Sequence, residues 1–114
     1  LLQVHIAQEH TKHGLNEKEL EEIVNVFSNC SRNNELNHIR IKGLMGMATF
    51  TDDKDQVGKE FQFLRHLYNK YSAIDYPNFK LSILSMGMSD DYKIALEHGS
   101  NMLRIGSLLF GPRQ

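Results

Sequence analysis

The sequence predicts an α/β domain of four successive βα units, the arrangement found in half of an eight-stranded barrel. Short apolar runs alternate four times with longer segments whose apolar residues recur at helical spacing. Such alternation is typical of parallel strands that are covered by helices. Small residues and serines follow the last two apolar runs, and barrels commonly bind phosphate in the loops after their last two strands. The half-barrel is therefore favoured over a doubly wound sheet.

The first unit is predicted from a strand at Leu2–Ala7 and a helix that runs to about Cys30. Asn16 and Glu19 have the spacing of a capping box, in which the two side chains satisfy backbone N–H groups at the start of a helix. One apolar stripe at i, i+3, i+4 and i+7 follows. Its members are Leu20, Ile23, Val24 and Phe27.

The second unit begins with a predicted strand at Ile39–Met45. A helix then starts at Asp52 or Asp53, since aspartate is a preferred helix N-cap. The predicted buried face of this helix consists of Val57, Phe61, Leu64, Leu67 and Tyr71.

The third unit follows a turn at Tyr76-Pro77-Asn78, where proline cannot continue a helix. Its predicted strand is Leu81–Ser85 and its helix is capped by Ser89, with Asp90 and Asp91 in the first turn. Gly99 is predicted at the C′ position of that helix.

The fourth unit is a predicted strand at Asn101–Ile105 and a short helix at Ser107–Phe110. Because the chain opens on a strand that is already under way, at Leu1-Leu2-Gln3, we expect it to be a fragment of a longer protein.

Composition limits the function classes that are open to this chain. At 114 residues it forms one domain or part of one, and its net charge of −1 gives no electrostatic case for nucleic acid or an anionic membrane. Its apolar runs are far shorter than the roughly 20 residues that cross a bilayer. A single cysteine, Cys30, cannot form an internal disulfide and indicates a reducing, cytoplasmic compartment.

Two turns near the C-terminus have the composition of phosphate-binding turns. Ser85-Met86-Gly87-Met88-Ser89 and Arg104-Ile105-Gly106-Ser107 each close an apolar run and open a helix. Backbone N–H groups at such a junction, at the positive end of a helix dipole, favour anions. We therefore predict an anion site made of Ser85, Arg104, Gly106 and Ser107.

Simpler interpretations of these turns remain open at this point. Ser85 to Ser89 could form an ordinary strand-to-helix turn with Ser89 as its cap. Arg104 lies between Leu103 and Ile105 and faces the opposite side of the strand, so it could point into a barrel or outward to the helices.

The same residues resemble the C-terminal signature of the pyridoxal-phosphate homeostasis proteins, which are single-domain relatives of the alanine racemase barrel. The matching motifs are Leu84-Ser85-Met86-Gly87-Met88-Ser89-x-Asp91 and Gly99-Ser100-x-Met102-x-Arg104-Ile105-Gly106-Ser107-x-x-Phe110-Gly111-x-Arg113. Upstream agreement comes from Val4-x-Ile6, Glu9-x-x-Lys12-x-Gly14 and Lys42-Gly43-Leu44-Met45. His5 departs from the pattern, since many members have asparagine there. The chain would be the second half of such a protein.

The resemblance implies a barrel that holds pyridoxal 5′-phosphate on a lysine of the first half, which this chain lacks. It implies that Ser85, Gly106 and Ser107 contact the phosphate and that Arg104 lies near the ring or the phosphate. Members of the family act as cofactor carriers and regulators of vitamin B6 pools, so turnover by this chain is not expected.

Two other functions stay open beside the carrier. The first is an amino-acid racemase-type enzyme, which would need a second acid/base group. The second is an assembly module that self-associates, because a four-stranded half-barrel leaves two parallel edges exposed. Lys12 is expected to form a salt bridge or to face solvent. The spacing of His5, His10 and His13 fits no zinc site.

Overall fold

The computed structural model describes residues 1–10, 12–28 and 38–111, in which four strands alternate with four helices. The elements are β1 Leu2–Gln3, α1 Glu17–Ser28, β2 Ile41–Gly46, α2 Lys54–Ser72, β3 Phe79–Met88, α3 Tyr92–Glu97, β4 Met102–Arg104 and α4 Ser107–Phe110. The strands form one parallel sheet in the order β1-β2-β3-β4. The predicted α/β class with four βα units is confirmed.

The predicted capping box starts α1. The backbone N–H of Asn16 donates to Glu19 Oε1 at 3.0 Å, and the N–H of Glu19 donates to Asn16 Oδ1 at 2.8 Å. Three members of the predicted stripe are buried and Ile23 is half-buried against the core. The predicted end of this helix near Cys30 lies outside the described residues.

Helix α2 begins where its cap is predicted. Asp53 is the N-cap, and its Oδ1 accepts hydrogen bonds from the N–H groups of Asp55 and Gln56 at 3.1 and 3.2 Å. Every predicted residue of its apolar face is buried. Burial of one such side chain stabilises the fold by roughly 1.5–3 kcal/mol.

The strand boundaries differ from the predicted ones. Strand β1 ends at Gln3, earlier than predicted, whereas β3 extends from Phe79 to Met88 and so exceeds the predicted Leu81–Ser85 at both ends. The cause is pairing: Phe79 is in register with Ile41 of β2, and Met88 with Arg104 of β4. Neighbouring strands, and not the local apolar pattern, set where a strand of this sheet ends.

The outer edge of β1 is partly covered by the chain itself. Leu15 forms an isolated parallel bridge with Val4. Its N–H donates to Gln3 O at 2.8 Å, and its carbonyl accepts from the N–H of His5 at 2.9 Å. The expectation of two fully exposed edges was therefore wrong for β1, because the segment that leads into α1 returns to the same edge.

The core lies between the helices and one face of the sheet. Leu84 and Met86 of β3, both fully buried, pack in one cluster with Phe61 and Leu64 of α2. Gly99 follows the C-cap His98 of α3 with a φ of +93°, and so occupies the predicted C′ position. Within the described ranges, no helix is both long and apolar enough to cross a membrane.

Candidate functional site

The candidate site lies at the carboxyl ends of the last three strands and is centred on Arg104. Its Nη1 donates to the Ser85 hydroxyl at 2.6 Å and to the Ser85 carbonyl at 3.1 Å. Its Nη2 donates to the carbonyl of Gly46 at 2.9 Å. One guanidinium therefore joins β4 to β3 and reaches the end of β2.

Arg104 and Ser85 share the sheet face that the helices leave free. Side chains alternate between the two faces of a strand, and both neighbours of Ser85, Leu84 and Met86, belong to the helix-packed core. Ser85 is nevertheless only 1% exposed. The open alternative about Arg104 is thus resolved: it lies across the sheet face that would line the inside of a barrel.

The guanidinium of Arg104 carries an unsatisfied donor. Its Nε is buried and finds no hydrogen-bond partner in the part of the chain that the structure describes. Ion pairs among those residues join Lys12 to Glu9 and Lys80 to Asp75, so no described carboxylate pairs directly with Arg104. Burial lowers the pKa of Arg104, and Asp91 acts in the opposite direction. A half-buried cation with a spare N–H is suited to an anionic or planar acceptor ligand.

Gly106 and Ser107 lie two and three residues beyond Arg104. Gly106 is the N-cap of α4, which starts at Ser107 as predicted, and both residues are exposed. A Cβ built on Gly106 meets no atom within 4 Å. No hydrogen bond among the described residues joins Gly106 or Ser107 to Ser85. The structure therefore brings Ser85 and Arg104 into contact, whereas Gly106 and Ser107 lie on the adjoining turn.

Ser89 does not cap α3, and this prediction was wrong. Helix α3 begins at Tyr92 with Asp91 as its N-cap residue. The hydroxyl of Ser89 instead accepts the N–H groups of Gly106 and Leu108, at 3.3 and 3.0 Å. The reason is that β3 runs on to Met88, so Ser89 enters the turn beside α4 instead of the start of α3. Ser89 thereby holds the turn that carries two predicted site residues.

Asp91 was predicted in the first turn of α3, yet it precedes the helix. Its Oδ1 accepts the N–H of Met88 at 2.8 Å and makes no capping hydrogen bond to the helix. Burial is the main effect that raises the pKa of Asp91, while the Met88 N–H and Arg104 oppose the rise. An acidic group thus acts electrostatically on the site without contacting Arg104 as an ion pair.

Glu60 of α2, a buried carboxylate that contacts the loop after β2, was not predicted from the sequence. Its oxygens accept from the N–H and the hydroxyl of Thr49, each at 2.6 Å, and from Gln56 Nε2 at 2.5 Å. The Thr49 hydroxyl in turn accepts the N–H of Gln8 at 2.8 Å. Glu60 lies three residues after Val57 and next to Phe61, so its place within the apolar stripe was the signal that marked it as buried.

Lys12 is paired, as the sequence predicts. Its Nζ lies 2.9 Å from Glu9 Oε1, and this hydrogen bond is the main cause that lowers the pKa of Glu9. The Glu9 carboxylate also accepts the N–H of Phe50 at 3.2 Å. The loop after β1 is therefore hydrogen-bonded to the loop after β2, on the side of the sheet where these strands end.

Comparison with known families decides the affiliation of this fold. The model of the family "Alanine racemase, N-terminal domain" matches residues 2–114. The chain belongs to this alanine racemase N-terminal domain family. The two predicted turns and the parallel sheet thus lie within one match that spans nearly the whole chain.

Relatives of the chain in this family share a name. A pyridoxal phosphate homeostasis protein of Helicobacter pylori is 38% identical over 110 residues, which make up 96% of this chain and 44% of the relative. The protein of that name from Aquifex aeolicus is 34% identical over 114 residues, or 100% of this chain and 46% of the relative. The chain therefore spans less than half the length of these relatives.

Solved structures of similar fold agree with the four-unit arrangement. PipY of Synechococcus elongatus without pyridoxal phosphate gives a TM-score of 0.72 at 26% identity, covering 96% of this chain and 48% of PipY. PipY with pyridoxal phosphate bound gives a TM-score of 0.67 at 24% identity, covering 96% of this chain and 49% of PipY. Two distinct states of PipY thus share the fold of this chain.

Proposed function

We propose that this chain supplies the phosphate-binding side of a pyridoxal 5′-phosphate barrel that carries the cofactor in vitamin B6 homeostasis. The observation that carries the proposal is the half-buried Arg104, whose Nε lacks a partner among the described residues while its Nη1 holds the Ser85 hydroxyl. The names of the relatives support the same cofactor. We assign the chain to the second half of the barrel, as its motifs imply.

The residues present fit this cofactor. Ser85 offers a hydroxyl, and the turn at Gly106 and Ser107 offers a second hydroxyl, that of Ser107, and open space at Gly106 where a phosphate could be held, while Ser89 occupies the Gly106 N–H. Arg104 has only donors, so beside the pyridine nitrogen it would leave that nitrogen as an acceptor. When bound, the cofactor supplies an electrophilic aldehyde and an electron-withdrawing ring.

A carrier role is favoured over a racemase-type enzyme. An unprotonated ring nitrogen makes the ring a weaker electron sink than one paired with a carboxylate, and a racemase-type enzyme would in addition need a second acid/base group. No described carboxylate forms an ion pair with Arg104. We further infer a cytoplasmic location from the single cysteine of the chain, since reducing compartments disfavour disulfides.

The binding proposal is tested by titrating the chain with pyridoxal 5′-phosphate and following cofactor absorbance and the ³¹P resonance. Replacing Arg104 with methionine (Arg104→Met) removes charge-assisted hydrogen bonds worth roughly 1.5–3 kcal/mol each, so we expect the Kd to rise about tenfold or more. Ser85→Ala should give a smaller rise. No borohydride-reducible imine is expected, because the Schiff-base lysine would lie in the other half.

Two matched variants control for nonspecific effects in that titration. Arg40→Met removes an exposed arginine next to β2, and Ser82→Ala removes an exposed serine of β3. Both should bind like the unmodified chain. Equal binding by the chain and by Arg104→Met, with the fold intact by circular dichroism, would contradict the proposal.

We also propose that strands outside this chain cover the edge of β4 and the apolar residues of α4. Leu109 and Phe110 are 71% and 86% exposed, and Leu108 is 58% exposed. Exposed apolar patches rimmed by a strand edge favour association. Because the chain spans less than half of its relatives, the remaining strands of a full-length barrel are the expected cover, and the isolated chain should self-associate.

Self-association is tested by light scattering at micromolar concentration. We expect a dimer or larger species for the unmodified chain and a monomer for Phe110→Glu, because a charge in the patch opposes its burial. Phe50→Glu is the matched control, since Phe50 is 80% exposed but lies in the loop after β2. A monomeric unmodified chain would overturn this proposal and leave the cofactor proposal standing.

A further inference from the structure

Strand β4 is too short to fix its own register against β3. It consists of the three residues Met102–Arg104. Its first residue pairs with Ser85 and its last, Arg104, pairs with Met88, and the register shifts between these two positions. A slip of one residue exchanges the two faces of a strand, which would turn Arg104 toward the helices. Contacts outside this short ladder therefore determine where β4 lies.

The side chain of Asn101 extends the ladder before β4 begins. Its Oδ1 accepts the N–H of Leu84 at 2.8 Å, and its Nδ2 donates to the carbonyl of Ser82 at 2.9 Å. The backbone N–H of Asn101 donates to the carbonyl of Leu84 at 3.0 Å. The carboxamide carries a donor and an acceptor together, so it can pair with both kinds of backbone group along β3. Asn101 thus fixes the start of β4 against Ser82 and Leu84.

Ser100 holds the next part of β3 from the same segment. Ser100 is buried, and its hydroxyl donates to the carbonyl of Met86 at 2.6 Å. The same oxygen lies 3.4 Å from the backbone nitrogen of Met86, whose N–H donates to it. Leu84 and Met86 are the two neighbours of Ser85 in the sequence. Asn101 and Ser100 therefore hold the backbone of β3 on both sides of Ser85.

The segment that holds the flanks of Ser85 also delivers Arg104 to Ser85 itself. Arg104 follows Asn101 by three residues, and its Nη1 donates to the hydroxyl and to the carbonyl of Ser85. The guanidinium reaches these two oxygens from the sheet face that the present register gives to Arg104. The hydrogen bonds of Asn101 and Ser100 thus determine the alignment of the donors of Arg104.

We propose that Asn101 and Ser100 are positioning residues, which set the register of β4 on β3 and thereby align Arg104 with Ser85 for a phosphate group. This inference rests on the proposed phosphate site and adds the residues that orient it. Because Asn101 acts through Arg104, its removal weakens phosphate binding only while Arg104 is present. A residue that served the fold alone would weaken binding equally with and without Arg104.

The test is a double-mutant cycle between Asn101→Ala and Arg104→Met, with inorganic phosphate and pyridoxal 5′-phosphate as ligands. In the unmodified chain we expect Asn101→Ala to raise the Kd about three- to tenfold, the partial loss of one charge-assisted hydrogen bond. In the Arg104→Met chain the same substitution should leave the Kd unchanged. Ser100→Ala should repeat this pattern. Circular dichroism verifies that each variant is folded.

A second readout follows the guanidinium without any ligand. The Nε of Arg104 is buried, and its ¹⁵N–¹H resonance reports the surroundings of the guanidinium directly. We expect this resonance to shift in Asn101→Ala. Asn101→Thr is the milder substitution and serves if Asn101→Ala fails to fold, because threonine is favoured in strands and keeps one polar group. Its shift and its rise in Kd should be smaller.

Asn69→Ala is the matched control, because Asn69 is an exposed asparagine of α2. It should change neither the Kd nor the Arg104 resonance.

The outcomes separate this inference from the proposed function. An equal loss of affinity on Asn101→Ala with and without Arg104 would overturn positioning through Arg104 and keep the phosphate site. Unchanged binding by the Asn101 and Ser100 variants, while Arg104→Met loses affinity, would have the same meaning. Absence of phosphate binding by every form of the chain would overturn the proposed function. The Arg104 resonance then still decides the inference, which an unshifted signal in the Asn101 variants contradicts.

Discussion

Replacing Gly43 with alanine is expected to lower the free energy of unfolding by about 3 kcal/mol or more, a large share of the roughly 5–15 kcal/mol that stabilises a domain. A Cβ on Gly43 would overlap the carbonyl oxygen of Ile83 and lie 2.7 Å from Ile83 Cβ. Between two paired positions, β3 contains two more residues than β2, since Ile41 pairs with Phe79 and Gly43 with Ile83. This bulge brings the two backbones together, and neither can yield without loss of pairing.

Gly106→Ala is the matched control for Gly43→Ala. A Cβ at Gly106 meets nothing within 4 Å, and its φ of −126° is open to any residue. We expect a change within about 0.5 kcal/mol. The comparison is made by urea denaturation followed by circular dichroism. If the two variants unfold at the same urea concentration, the close approach of β2 and β3 at Gly43 does not exist in solution.

Helix α2 shows what the sequence could predict. An N-cap at Asp52 or Asp53 and the buried face from Val57 to Tyr71 were predicted; the structure confirms both and selects Asp53. Capping depends on atoms within three residues, and an apolar stripe over 19 residues leaves one choice of buried face. Local chemistry therefore suffices for a long amphipathic helix.

The end of β3 shows where local chemistry does not suffice. A capping rule assigned Ser89 to the start of α3, yet the partners of its hydroxyl are the N–H groups of Gly106 and Leu108, 17 and 19 residues away. Pairing of Met88 with Arg104 carries β3 past its predicted end and moves Ser89 into the turn. Such contacts depend on the packing of two βα units, which the sequence of either unit alone does not contain.

The candidate site combines both cases. Ser85 and Arg104 were predicted as site residues from the motifs, and in the structure Arg104 Nη1 lies 2.6 Å from Ser85 Oγ. The choice of sheet face for Arg104 stayed open because one of its acceptors, Gly46 O, is 58 residues away. Glu60 was missed because a charged residue in a stripe is usually read as exposed, although buried carboxylates are tolerated when they are hydrogen-bonded.

Phe61→Ala is the second variant with a large expected effect. Phe61 of α2 is fully buried in the core cluster that also contains Leu84 and Met86 of β3. Truncation of a buried phenylalanine removes its transfer free energy and leaves a cavity, which together cost about 3–5 kcal/mol. Because α2 packs on β3, the strand that carries Ser85, we expect this variant to lose both thermal stability and cofactor binding.

Phe63→Ala distinguishes burial of the ring from the mere loss of an aromatic residue in α2. Phe63 is two residues further along the same helix and is 39% exposed, so its truncation should cost less than about 1 kcal/mol. Differential scanning calorimetry of the two variants measures the difference. Equal destabilisation would contradict the assignment of the Phe61 face of α2 as the face that packs on the sheet. The orientation of β3, in which Ser85 faces away from the helices, depends on the same assignment. A large loss for Phe61→Ala alone is the result expected if the face of α2 that carries Phe61 packs on the sheet, as its apolar stripe predicts.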